Sequence, residues 1–169
     1  MAMGKNRMRC RLATWGSIAL VIGGPILFNE TLLAQSELES TGRYYLEGPR
    51  ENEVGYSRAV VTRGGDVVWV SGTQGARDAN GQLITDFRDQ ARQAFRNIDA
   101  TLREVGSDLS DVVNITVLLR DPRYYDTFTE VRREFFPDGN YPAGTIVTNG
   151  TFVRPEILVL LQAVAVVAP

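Results

Sequence analysis

Between Asp86 and Val105, apolar residues return every three or four positions, at Phe87, Ala91, Ala94, Ile98, Leu102 and Val105. That period lays a single apolar stripe along a helix. Thr85 or Asp86 is placed to cap its start, Asp89 sits in its first turn, and Gly106 suits the position just past its end. Arg88, Arg92, Arg96 and Arg103 populate the outer faces and read as a solvated surface. A second helix opens at Asp121-Pro122, a capping residue followed by a proline whose missing N–H has no partner to lose in the first turn. Tyr125, Phe128, Val131 and Phe135 form its apolar stripe, and Pro137-Asp138-Gly139-Asn140 ends it.

Elsewhere the pattern is that of strands. Tyr56 to Thr62 predicts a first strand, and Arg63-Gly64-Gly65-Asp66 a tight turn pairing it with a second, Val67 to Gly72. This second strand is apolar at nearly every residue, which predicts cover on both faces. Thr73 to Gln82 reads as a loop. Val112 to Leu119 predicts a third strand, with Val113, Ile115, Val117 and Leu119 on one face and Val112, Asn114, Thr116 and Leu118 on the other. The last third, Tyr141 to Val167, predicts two buried strands around a polar loop from Asn149 to Glu156. Gln162 is the one polar residue in the run Ile157 to Val167. An unpaired buried amide costs roughly 1–3 kcal/mol, so Gln162 is expected to be a satisfied core or interface amide, or a pocket residue.

The resulting order, β-β-α-β-α-β-β, is an α+β fold: a mixed sheet with two helices on one face. The other face would show Val68, Val70, Thr116 and the closing strand to water. Single chains rarely leave such a surface open, which predicts a closed homo-oligomer packed through it.

The N-terminus follows different rules. Lys5, Arg7, Arg9 and Arg11 precede Leu12 to Phe28, a run without charge, and Ala34 follows as a small residue where a leader peptidase can cut. This three-part pattern predicts an export signal over residues 1–34, or an uncleaved anchor through residues 12–28, and a periplasmic or secreted protein. Residues 35–54 are polar and read as a flexible linker or arm, leaving 55–169 as the folded domain. Tyr44-Tyr45-Leu46 is the one part of the arm able to dock.

Composition narrows the chemistry. The chain has no histidine, and its one cysteine, Cys10, lies in the leader. That removes imidazole and thiol catalysis from the exported part and leaves no basis for a metal site or cofactor. Removing residues 1–34 takes four of the 18 basic side chains and one of the 20 acidic ones, leaving 14 and 19 and a net charge of −5. An acidic surface without lysine argues against nucleic acid as a partner.

The order of several short pieces resembles the RidA/YjgF family of reactive-intermediate deaminases over Gly55 to Val167. The pieces are Gly55-Tyr56-Ser57-Arg58-Ala59-Val60, Val70-Ser71-Gly72, the helix Gln90 to Val105, Ser110-Asp111-Val112-Val113, Phe135-Phe136, Tyr141-Pro142-Ala143 and Ala163-Val164-Ala165-Val166. The resemblance implies a chorismate-mutase-like fold, a homotrimer, and clefts between subunits that take a small-molecule ligand. Active members of this family hydrolyse 2-imino acids to 2-keto acids and ammonia. An arginine directly after Pro-Ala grips the substrate carboxylate, and a glutamate in the last strand activates the attacking water. Those positions are Gly144 and Gln162 here. The resemblance also implies a pocket lining of Tyr56, Ser71, Gly72, Tyr141 and Thr145, with Gln162. A cleft that binds without deaminating is the first expectation. An active deaminase with Gln162-held water and a relocated arginine (Arg58, Arg120 or Arg154) is the second, and an interaction module using the outer helices the third.

Overall fold

The computed structural model describes residues 25–167, with side-chain surroundings from residue 32 onward. The basic start of the expected leader and most of its apolar run lie outside the described residues. The elements in order are α1 (Pro25–Thr41), β1 (Arg43–Leu46), α2 (Pro49–Val54), β2 (Ala59–Thr62), β3 (Asp66–Gln74), α3 (Phe87–Arg103), β4 (Val112–Leu119), α4 (Tyr125–Phe135), β5 (Ala143–Thr148) and β6 (Val159–Val167). The main sheet has the order β3-β6-β4-β5, with β4 and β5 parallel and the other pairs antiparallel. This is the expected α+β architecture, with α3 and α4 packed on one face.

The core forms where the stripes predicted. Asp86 caps α3 by accepting from the Asp89 N–H at 3.0 Å. Ala91, Ala94, Ile98 and Leu102 are fully buried along the helix. Phe95, also fully buried, stacks against Phe128 and Phe135 of α4 with ring centroids 5.8 and 4.8 Å away. Each such side chain contributes roughly 1.5–3 kcal/mol by leaving water. Val105, placed on the stripe by its spacing, lies beyond the helix end and is exposed. Asp121 caps a short 3-10 turn, Pro122–Tyr124, which leads into α4.

Four strand details differ from the sequence pattern. In β4, a register shift between Val112 and Asn114 puts Val112 rather than Val113 in the core with Ile115, Val117 and Leu119. A bulge of this kind adds one residue and reverses the phase of the chain before it. In β3, Val68 and Val70 point to the helices, and the free face shows Val67 and Trp69 instead, the latter 75% exposed. The continuous apolar run therefore has cover on one side only. The third difference is β5, a mostly exposed edge strand rather than a buried one.

The fourth is the pairing of β2. Gly64 and Gly65 adopt φ of 70° and 84°, the turn geometry their sequence predicts. Yet β2 pairs with β1 in a separate two-stranded sheet rather than with β3. The partner, Arg43–Leu46, comes from the stretch 35–54, so part of the expected flexible arm is an ordered strand. Arg43 anchors it: its Nη2 donates to Asp111 Oδ1 and to the Val166 carbonyl, both at 2.5 Å, and its Nη1 to the Ser110 carbonyl at 2.9 Å. With that anchor, β1 supplies the backbone that pairs with Ala59–Thr62. Helix α1 runs through Ala34, the expected cleavage point.

Candidate functional site

The backbone of Gly144 decides what that position can hold. It pairs with Ile115 across the parallel β4–β5 register and shares a row with Ala163, so its missing side chain would point to the helix side of the sheet. A Cβ built there overlaps the Ile115 carbonyl oxygen. The strands approach too closely for any side chain without a backbone shift.

Gln162 stands on the other face. It pairs with Thr116, which pairs in turn with Thr145, so the three share one row across the free face. Gln162 and Thr145 are exposed. The amide is therefore not a buried group awaiting a partner, as the apolar run suggested. Thr145, Thr116 and Gln162 make a polar band between Val67, Trp69 and Val164 on one side and Val147 on the other. Within one chain, Gly144 and Gln162 do not face a common pocket.

Ser71 and Gly72 form the exposed bulge of β3 that faces Gln162, between the Val70–Ala163 and Thr73–Leu161 pairs; they are far from Gly144, at the opposite edge of the sheet from β5. Tyr141 is half-buried just before β5; its ring packs on Gly55 and lies 6.4 Å from that of Phe136. Its carbonyl accepts from Ser57 Oγ at 2.5 Å. Tyr56 is half-buried and does reach Gly144. Together they line a cavity of about 230 Å³ with Arg50, Val54, Tyr125, Arg132 and Ile146.

That cavity holds the residues the sequence pattern did not single out. Arg132 is 5% exposed. Its Nη2 donates to the Val54 carbonyl at 2.9 Å, and its guanidinium carbon lies 5.8 Å from the centre of the Phe128 ring. Its Nε is buried without an acceptor. Burial pulls its pKa down to about 10, which still leaves it charged at neutral pH. A signal was present in the sequence: Arg132 follows Tyr125 by seven residues and Phe128 by four, a cation on the apolar stripe of α4.

The three arginines expected to substitute for residue 144 lie elsewhere. Arg120 holds the loop before β6, donating from Nη1 to the Pro155 and Ile157 carbonyls. Arg58 donates to the Glu47 carbonyl at 3.3 Å and is exposed, as is Arg154. None lines the cavity beside Gly144. Among the described residues, no three carboxylate, cysteine or histidine side chains form a metal-binding group.

Comparison with known proteins fits this arrangement. The family model described as Endoribonuclease L-PSP matches residues 49–167. The RutC family protein YjgH of Escherichia coli is 37% identical over 93 residues, 54% of this chain and 69% of that protein. A 2-iminobutanoate/2-iminopropanoate deaminase of Homo sapiens is 34% identical over 89 residues, 52% of this chain and 63% of that protein. The chain thus spans about two thirds of the length of these curated relatives. Among solved structures, Escherichia coli TdcF with bound serine matches with a TM-score of 0.57 and 25% identity, covering 73% of this chain and 92% of that one. The matched residues begin at Pro49, so α2 falls within the family domain that the sequence pattern began at Gly55.

Proposed function

The chain belongs to the RidA/YjgF family, the one described by the endoribonuclease L-PSP model, and from that premise we propose a homotrimer that binds a small polar metabolite in clefts between subunits, with imine deamination lost or weak. The observation that carries the loss is Gln162. An amide orients a water but accepts no proton from it near neutral pH, so the position supplies no general base. The closed approach of Gly144 to Ile115 adds a second deficit, since no arginine fits there without moving strand backbone.

Support for a site shared between subunits comes from the distribution of the lining residues. Ser71 and Gly72 lie at one edge of the sheet, and Tyr56, Gly144 and Thr145 at the other. A neighbouring copy is the simplest way to bring the two edges together. The exposed apolar residues Val67, Trp69 and Val147 give the free face a reason to be covered. A small amino-acid-sized ligand is in keeping with the serine bound by TdcF.

A working deaminase is the second reading, favoured by the two guanidinium groups in the cavity beside Gly144. It would still need a base. The test compares ammonia release from 2-iminopropanoate generated in situ by the full chain and by Gln162→Glu. Binding without turnover predicts at least a tenfold gain in the variant over a wild-type rate close to buffer. A wild-type rate well above buffer that Gln162→Glu leaves unchanged contradicts it.

Export is part of the proposal, resting on the basic start and uncharged run of residues 5–28. Among the described residues no helix is long and apolar enough to cross a membrane. Fractionation of cells making the full chain should recover the protein outside the cytoplasm. Recovery in the cytoplasmic fraction alone would exclude it.

A further inference from the structure

We propose that Arg132, with Arg50 beside it, forms a binding site for a small monocarboxylate, gripped from helix α4 rather than from strand residue 144. The inference deepens the reading of a small-metabolite binder and rests on it. It begins from an unpaired charge. Arg43, Arg88, Arg92, Arg103 and Arg123 each hold a carboxylate within 2.8 Å. Arg132, the most buried of the arginines described here, pairs with none among the described residues. It makes one hydrogen bond, to a neutral carbonyl, and its buried Nε has no acceptor. A charge withdrawn from water without a counter-charge is among the costliest features a fold can carry. Such a group is retained where something charged arrives to meet it.

The surroundings say what can arrive. The cavity beside Arg132 holds a second guanidinium, from Arg50, and the rings of Tyr56 and Tyr125, and no acidic side chain lines it. Two cations in one cavity make an anion site, and the planar guanidinium fork matches a carboxylate in two parallel hydrogen bonds. Gly144 contributes an exposed backbone edge with no side chain to fill the space. A volume of about 230 Å³ gives room for a compact monocarboxylate. Val54 and Ile146 supply apolar contact for its short carbon chain. The Phe128 ring lies beneath the guanidinium, its centre 5.8 Å from the guanidinium carbon.

The test is calorimetric titration of the full chain with pyruvate. Pyruvamide serves as the uncharged analogue and inorganic phosphate as the competing anion. The site predicts saturable pyruvate binding, none for pyruvamide, and phosphate at least tenfold weaker. Arg132→Gln should weaken pyruvate binding at least tenfold. Arg50 is exposed, so Arg50→Gln keeps the fold and should weaken binding about threefold whether or not Arg132→Gln is stable. Equal pyruvate affinity in wild type and both variants overturns the site, as does phosphate binding without pyruvate binding or no saturable pyruvate binding at all. Equal affinity in the variants would leave a metabolite binder with its ligand elsewhere. Rapid imine turnover with normal Arg132 dependence would remove the loss of deamination and keep the carboxylate site.

Discussion

At the scale of single residues, the site turns on Gly144, Gln162 and Arg132. Gly144 is a glycine for reasons of packing: the parallel strand beside it puts the Ile115 carbonyl where a Cβ would go. Gly144→Ala should therefore destabilise the protein by about 1–3 kcal/mol, the usual cost of overpacking, seen as a lower midpoint in urea at unchanged slope. A midpoint equal to wild type would mean the strands give way easily, and an arginine could be accommodated. The resemblance named residues 144 and 162 from spacing alone, and their identities were legible. Their faces were not. Which side of the sheet each occupies follows from the pairing of β5 and β6 with β4, which composition does not mark. Arg132 was legible in principle. It stands at helical spacing from Tyr125 and Phe128, but the need for a counter-charge appears only once burial is known.

At the scale of elements, both helices and β4 follow from periodicity because each stripe has a single partner, the sheet. The caps at Asp86 and Asp121 fall where their short polar side chains predict. What periodicity missed is pairing between strands distant in sequence. β2 is held by β1, whose place is fixed by Arg43 reaching Asp111 and Val166 some 68 and 123 residues away. A polar arm shows no stripe, since a short strand anchored by one ion pair needs none. The exposed face of β3 carries an element-scale prediction. Trp69→Glu puts a charge in the middle of the free apolar face while leaving the helix-facing core untouched. It should lower the mass seen by sedimentation from that of a trimer to that of one chain, with circular dichroism unchanged. A variant that remains trimeric would place the interface elsewhere.

At the scale of the whole molecule, family membership fixes the domain over residues 49–167 but not its chemistry. A scaffold shared with deaminases supports binding and catalysis alike, so the site must decide between them. As proposed above, the anion-gripping group sits on α4, and the last strand carries no carboxylate or imidazole to act as a base. On that proposal the chain holds a small carboxylate without hydrolysing an imine. The direct measurement is the rate of ammonia release from 2-iminopropanoate made in situ, with the full chain at saturating concentration against buffer alone. A wild-type rate within about tenfold of buffer agrees with the loss of the general base. A rate a hundredfold or more above buffer, on the order of a general-base contribution, contradicts it and calls for a catalytic group not yet identified.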